Sequence, residues 1–347
     1  MAKTLVYKMW AAEQTVLDMT EQLTKMAILG ATHVYVGGLM SSPQRDGYGI
    51  SNYMCVDFHI GTMGEFKEFV ERAHEFKIEV IIDLVLNHTS TQHPWFAKYP
   101  RYYCWTDHGV PGWLSQQGGD AWWYDENRHR HYLSSFGKER ADLRWFEPNG
   151  EINQPLVEEF QRIVKYWREH YGVDGFCLDT PQLLNKDYSF RKPTSSRQDI
   201  IFGDKDEQII NALFPNREKA PFLMAYCYDP TFGDLIEYYS EQTPIKFLMN
   251  PLVHESASRL IAGNLNDFLQ NAYRSEENQH FMLHLEDHDT SRFSDWAGVS
   301  PVNGIFHLLN SQAQGICLYQ GQESYPAGRS DAMFNYVRHL VTRWYHL

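Results

Sequence analysis

Eight short apolar segments separated by longer, helix-length stretches constrain this chain more than any other feature. They cover residues 5–9, 33–37, 79–86, 175–179, 221–227, 245–250, 281–285 and 315–319, and are rich in β-branched or aromatic side chains. Short apolar runs of this kind read as buried strands, and strand–helix alternation is the pattern of a parallel α/β architecture. Between them, residues 62–76 put Phe66, Phe69, Val70 and Ala73 on one helical face, and Thr62 followed by Glu65 makes a capping box. Residues 155–171 read as another amphipathic helix. Eight strands with eight intervening segments close into a (β/α)8 TIM barrel. An open, doubly wound sheet is the alternative that alternation alone leaves standing.

At 347 residues and 43% hydrophobic content, the chain is long enough for one such barrel with an insertion. The insertion is visible. Residues 90–153 are crowded with Trp, Tyr, Gly and His, show no clean period, and are too long for an ordinary connection. They read as a subdomain inserted after the third strand, with the barrel formed by 1–89 and 154–347.

A net charge of −13 and the lack of any basic run argue against nucleic acid or an anionic membrane surface as partner. No apolar run reaches the roughly 18 residues of a membrane span. Cys55, Cys104, Cys177, Cys227 and Cys317 are odd in number, scattered and never spaced C-x-x-C. That pattern suits reduced thiols in a cytoplasmic protein, and the first residues carry no secretory h-region. Aromatic residues make up 15% of the chain, which fits either a ring-lined ligand cleft or an aromatic core.

In such a barrel the chemistry sits where the strands end at their carboxyl side. The polar residues following the apolar runs therefore converge: Asp83, Asn87 and His88 after the third, Cys177 and Asp179 after the fourth, Tyr226 and Asp229 after the fifth. Glu286, His288, Asp289 and Arg292 follow the seventh, and Glu323 the eighth. One such cluster is weak, since a strand-end Asp is commonly a loop cap or an ion-pair member. Several around one pocket mark a candidate site.

The motifs in these clusters resemble the alpha-amylase family of glycoside hydrolases, in the branch of oligo-1,6-glucosidases, alpha-glucosidases and trehalose synthases. D-L-V-L-N-H-T-S at 83–90 with H-P-W-F at 93–96 resembles the family's first conserved region. G-G-D-A-W-W-Y-D-E at 118–126 and H-Y-L-S-S-F at 131–136 resemble the inserted domain of that branch. A-D-L-R-W at 141–145 resembles its P-D-L-N-W signature. D-G-F-C-L-D at 174–179 resembles the nucleophile region, and E-D-H-D-T-S-R at 286–292 the stabiliser region. The resemblance implies a retaining pocket in which a carboxylate attacks the anomeric carbon and a carboxylic acid about 5–5.5 Å away protonates the leaving oxygen. It puts Asp179 on the nucleophile, Asp289 on the stabilising carboxylate, His88 and His288 on the sugar-binding histidines, and Tyr48 on the ring beneath the sugar.

The departures fall at the chemistry. Where the family reads G-F-R-x-D, this chain has Cys177 for the arginine. Where it reads roughly L-V-G-E-x-Y-D-P, residues 223–230 are L-M-A-Y-C-Y-D-P, so Tyr226 stands at the acid. The G-Y-D-I motif is G-Y-G-I, with Gly49 for an aspartate, and the Asp- and Gly-rich loop after the first strand is cut to A-A-E-Q-T-V-L-D at 11–18. The residues after the last helical stretch are too few for the family's C-terminal β-sandwich, so the expectation is a barrel without it, with the flank the sandwich would cover as a candidate homodimer surface.

These residues point to a barrel that is not a standard retaining glycosidase. The expected function is a repurposed enzyme acting on a sugar-like or other small polar ligand, in the manner of small-molecule biosynthesis. Asp179, Asp289, Tyr226 and Cys177 are the candidate catalytic groups, and Tyr48, His88, His288 and Arg292 the candidate substrate-binding groups. The alternatives are a non-catalytic pseudoenzyme or binding scaffold, a residual alpha-glucosidase or transglycosylase, and a metal enzyme using His88, Asp179, His288 and Asp289. No cofactor is assigned.

Overall fold

The computed structural model describes residues 3–108, 121–184, 206–227, 243–249, 280–289, 313–324 and 331–346. All eight expected strands form: β1 Thr4–Trp10, β2 His33–Gly37, β3 Glu79–Val85, β4 Gly175–Asp179, β5 Phe222–Tyr226, β6 Phe247–Met249, β7 Met282–Leu283 and β8 Gly315–Tyr319. They pair in parallel in the order β6-β5-β4-β3-β2-β1-β8-β7. A parallel bridge between Leu248 and Phe281 joins the two ends, so the sheet closes into the barrel and the open-sheet alternative falls.

Alternation along each strand divides the core in two. Leu5, Val34, Ile82 and Leu178 point outward into one continuous apolar layer beneath the helices. Val6, Tyr35, Cys177, Met224, Tyr226 and Cys317 form a separate buried cluster inside the barrel. Gly175 allows the strands to close on that interior, because a Cβ there would stand 2.6 Å from the Phe222 carbonyl oxygen.

The helices follow from their caps and apolar faces. Helix α1, Val16–Leu29, starts on a Thr15/Asp18 capping box and ends on Gly30 at φ 92°. Helix α2, Met63–Glu75, starts on the expected Thr62/Glu65 box and buries Phe66, Phe69, Val70 and Ala73. Helix α3, Gln154–Tyr171, buries the stripe Leu156, Phe160, Ile163 and Trp167. Helix α4 is Asp206–Leu213, and α5, Asp331–His346, packs on α1, with Tyr345 donating to the Gly30 carbonyl at 2.8 Å.

Between β3 and α3, the strands Trp105–Thr106, Trp122–Asp125 and Arg130–Leu133 make a three-stranded antiparallel sheet. Phe96, Tyr103, Trp105 and Tyr132 pack around one another there, with Arg128 over two of the rings. Trp145, Trp167 and Trp344 are fully buried elsewhere. Much of the aromatic content therefore builds core. The five cysteines are free thiols. Among the described residues no helix is long and apolar enough to cross a membrane.

Candidate active site

The ladder registers gather the strand-end residues at the carboxyl face of the barrel. Cys177 lies opposite Asp83 across β3–β4, and Asp179 opposite Tyr226 across β4–β5. The loop after β3 is pinned by the A-D-L-R-W stretch. The strand Arg140–Asp142 pairs with His88–Ser90. Asp142, wholly buried, accepts from the Ser135 amide at 3.1 Å, the Ser135 hydroxyl at 2.5 Å and Asn87 at 3.3 Å, while Trp145 donates to the Leu86 carbonyl at 2.8 Å. This framework fixes His88, whose Nε2 lies 3.1 Å from the Tyr48 carbonyl oxygen.

Tyr48, His88 and His288 come together at this face. The Tyr48 hydroxyl and His288 Nε2 are 2.8 Å apart, and the two rings stack at 5.3 Å. Trp10, at the end of β1, closes on the other side of His288 at 5.0 Å. Burial, then the Lys8 charge, lowers the His288 pKa to about 3, so the ring is a neutral imidazole that exchanges hydrogen bonds rather than charge. Burial, then Asp83, Asp179 and Asp289, pushes the Tyr48 phenol well above its ordinary value.

Gly49 has a structural counterpart. A Cβ there would stand 1.8 Å from the Gln44 side-chain oxygen, so the Gln44 carboxamide occupies the space a side chain at 49 would take.

The carboxylates are the centre of the site. Asp179 ends β4, and burial, followed by the charges of Asp83 and Asp289, raises its pKa to about 7; Thr180 and Arg140 oppose that rise. Thr180 itself is β-branched yet left-handed, at φ 45° and ψ 51°, a strained conformation beside Asp179. Asp83 accepts from the Tyr35 hydroxyl and from the Gly38 amide at 2.6 Å, and burial still leaves its pKa raised.

Tyr226, at the end of β5, donates its hydroxyl to Asp287. Asp287 also accepts from the Asp289 amide at 2.9 Å and lies 3.8 Å from His284 Nε2. Burial works against its charge, but Lys8 first, then His284, His288 and the Tyr226 hydrogen bond, hold it well below the usual carboxylate range. Cys177 is fully buried, and burial followed by Asp83 pushes its thiol well up, which keeps it neutral and unsuited to nucleophilic attack.

Several expectations are refined or left aside. Among the described residues no three His, Cys, Asp or Glu side chains form a group that could hold a metal, so His88, Asp179, His288 and Asp289 do not make a ligand set. Glu323 is tied to Lys25 of α1 and to the Tyr7 hydroxyl, and so belongs to the outer shell of the barrel. Asp229 and Arg292 lie outside the described residues. Lys8, Tyr35 and Asp287 escaped the strand-end reading. Lys8 precedes the end of its strand, and only its i±2 spacing from Val6 and Trp10 signals that it faces inward.

The family description "Alpha amylase, catalytic domain" matches residues 16–335. The trehalose-6-phosphate hydrolase of Escherichia coli is 36% identical over 175 residues, 47% of this chain and 30% of that protein. An alpha-glucosidase of Culex pipiens is 25% identical over 343 residues, 88% of this chain and 58% of that protein. The crystal structure of Bacillus licheniformis trehalose-6-phosphate hydrolase superposes with a TM-score of 0.80 at 24% identity, covering 92% of this chain and 65% of that one. The stretch aligned with the Escherichia coli protein thus spans about a third of its length. With the catalytic-domain match running through nearly the whole barrel, the chain belongs to the alpha-amylase family.

Proposed function

We propose that this chain is an alpha-amylase-family enzyme turned from standard retaining hydrolysis to proton-transfer chemistry on a small, sugar-like polar substrate. Tyr48, His88 and His288 bind hydroxyl groups of that substrate, joined by Arg292 on the strength of its motif, and Asp179 exchanges the proton. The carrying observation is the state of the two groups that a retaining enzyme needs. The nucleophile must be ionised and its partner must be a carboxylic acid. Here Asp179 has a pKa near 7, and the group opposite it on β5 is a phenol already donating to Asp287. A carboxyl that titrates near neutrality is matched to general acid–base work. A phenol that spends its proton on a neighbouring carboxylate is a poor donor to a leaving group.

A second reading, residual glucosyl transfer, is favoured by the intact Tyr48–His288 wall and by relatives named as alpha-glucosidases. An aryl alpha-glucoside with a good leaving group separates the two, because it needs no acid. Under the proton-transfer reading, intact-mass analysis detects no glucosyl adduct on Asp179 and phenol release stays at the level of an Asp179→Asn control. An adduct on Asp179, or turnover that Asp179→Asn abolishes, returns the chain to glucoside chemistry.

A further inference from the structure

Lys8 is the feature that the functional reading leaves unused. It lies on β1, inward between Val6 and Trp10, and is 0% exposed. Among the described residues its ammonium has no hydrogen-bond partner. A bare ammonium inside a barrel is costly unless charge compensates it. The compensation is symmetrical. The Lys8 Nζ sits 5.1 Å from the centre of the Tyr35 ring and 5.2 Å from that of Tyr226, a favourable placement for a desolvated cation. Each of those phenols donates its proton to a carboxylate, Tyr35 to Asp83 and Tyr226 to Asp287. Donating to an anion makes each ring more electron-rich and the cation better held. The result is a continuous row, Asp83–Tyr35–Lys8–Tyr226–Asp287, across the barrel interior.

We propose that Lys8 is a positioning residue that supplies, from β1, the buried positive charge that the family motif draws from an arginine on β4. Three observations meet at that point. By the motif resemblance the family's arginine position falls on Cys177, and Asp83 lies opposite Cys177 in the ladder. The Lys8 charge acts on Cys177 itself, on both Asp83 and Asp287, and on His288 and Cys317. The Cys177 thiol, kept neutral by burial, carries no charge to repel it. Through the two tyrosines Lys8 holds the phenol hydroxyls on their carboxylates, and so keeps the Tyr226 proton away from any substrate. The inference goes beyond the proton-transfer reading and holds whichever substrate the pocket takes.

The test is a charge-relocation cycle: Lys8→Gln, Cys177→Arg, and the two together, each followed by urea unfolding from pH 7 down to about pH 1.5, because the folded-state titration of Asp287 lies well below the usual carboxylate range. The groups facing Lys8 that titrate or carry charge are Tyr35, Asp83, Cys177, Tyr226, Asp287, His288 and Cys317. Among them Asp287 dominates the acid limb, because its ionisation leans on Lys8. Lys8→Gln is expected to move that limb to higher pH by about one unit, the effect of removing a nearby opposite charge. Cys177→Arg alone crowds two buried cations and lowers the unfolding midpoint. The double variant regains at least half of the midpoint lost by the worse single variant, and its acid limb returns toward that of the parent. If Lys8→Gln does not fold, folding of the double variant carries the same weight. An unmoved acid limb in a folded Lys8→Gln protein, or a double variant that loses at least the sum of the single losses or fails to fold, overturns the proposal.

Discussion

Replacing Asp287 with leucine is expected to cost about 3–5 kcal/mol of stability at pH 7, the range for removing a buried charge that its surroundings compensate. Asp287 is 2% exposed and takes hydrogen bonds from the Tyr226 hydroxyl and the Asp289 amide. Its loss takes one acceptor from a phenol and from an amide, and a compensating negative charge from the neighbourhood of Lys8. Asp287→Asn keeps an acceptor but not the charge, so its cost falls between the leucine variant and the parent. The pH dependence follows from the depressed pKa. A carboxylate held below its unfolded value contributes stability in full above about pH 4, the unfolded range, and loses it as pH falls further. Parent and Asp287→Leu therefore converge in acid. Urea unfolding at pH 7 and at pH 3 reads both effects. A loss under about 0.5 kcal/mol at pH 7, the scale of an ordinary surface substitution, contradicts the role given to Asp287.

Asp179→Asn carries the opposite sign. With a folded pKa of about 7, Asp179 keeps its proton while the unfolded chain loses its own near pH 4. Parent stability therefore falls as pH rises from about 4 to 7 and stays penalised above that. Asparagine has no such proton to lose. The variant's advantage is absent near pH 4, grows through the window, and reaches roughly 2–4 kcal/mol by pH 8; the upper end corresponds to three pKa units at about 1.4 kcal/mol each. Partial access of solvent to the carboxylate draws the value toward the lower end. Stabilisation on removing a site carboxylate is the behaviour of a residue retained for function at the expense of the fold. A variant no more stable than the parent at pH 8 contradicts the raised pKa.

The fold was legible because its signals are local. Each strand is a short apolar run between polar boundaries, and α2 announces itself through Thr62, Glu65 and a single apolar face. The motif strings carried the placement of Asp179, Tyr48, His88 and His288 in the same way. The electrostatic core of the site was not legible, for a physical reason. In the segment L-V-Y-K-M-W, Lys8 reads by residue type as a solvent-facing side chain, and its i±2 spacing from Val6 and Trp10 acquires meaning only once the barrel closes on that face. In E-D-H-D three acids stand within four residues, and which of them meets Tyr226 depends on how β5 and the loop after β7 approach one another. Gln44 fills the space beside Gly49 through a loop contact of the same kind. Local patterns fix elements, whereas the charge state of a pocket depends on distances between strands far apart in the chain.

The most direct measurement is the titration of the Asp179 side-chain carboxyl carbon by NMR, assigned by difference from Asp179→Asn in protein labelled at aspartate. A midpoint within about a unit of pH 7 is the result expected of a proton-exchanging group in this pocket. A midpoint at or below about 4, the value of an ordinary aspartate, means a fully ionised carboxylate at neutral pH and contradicts the account.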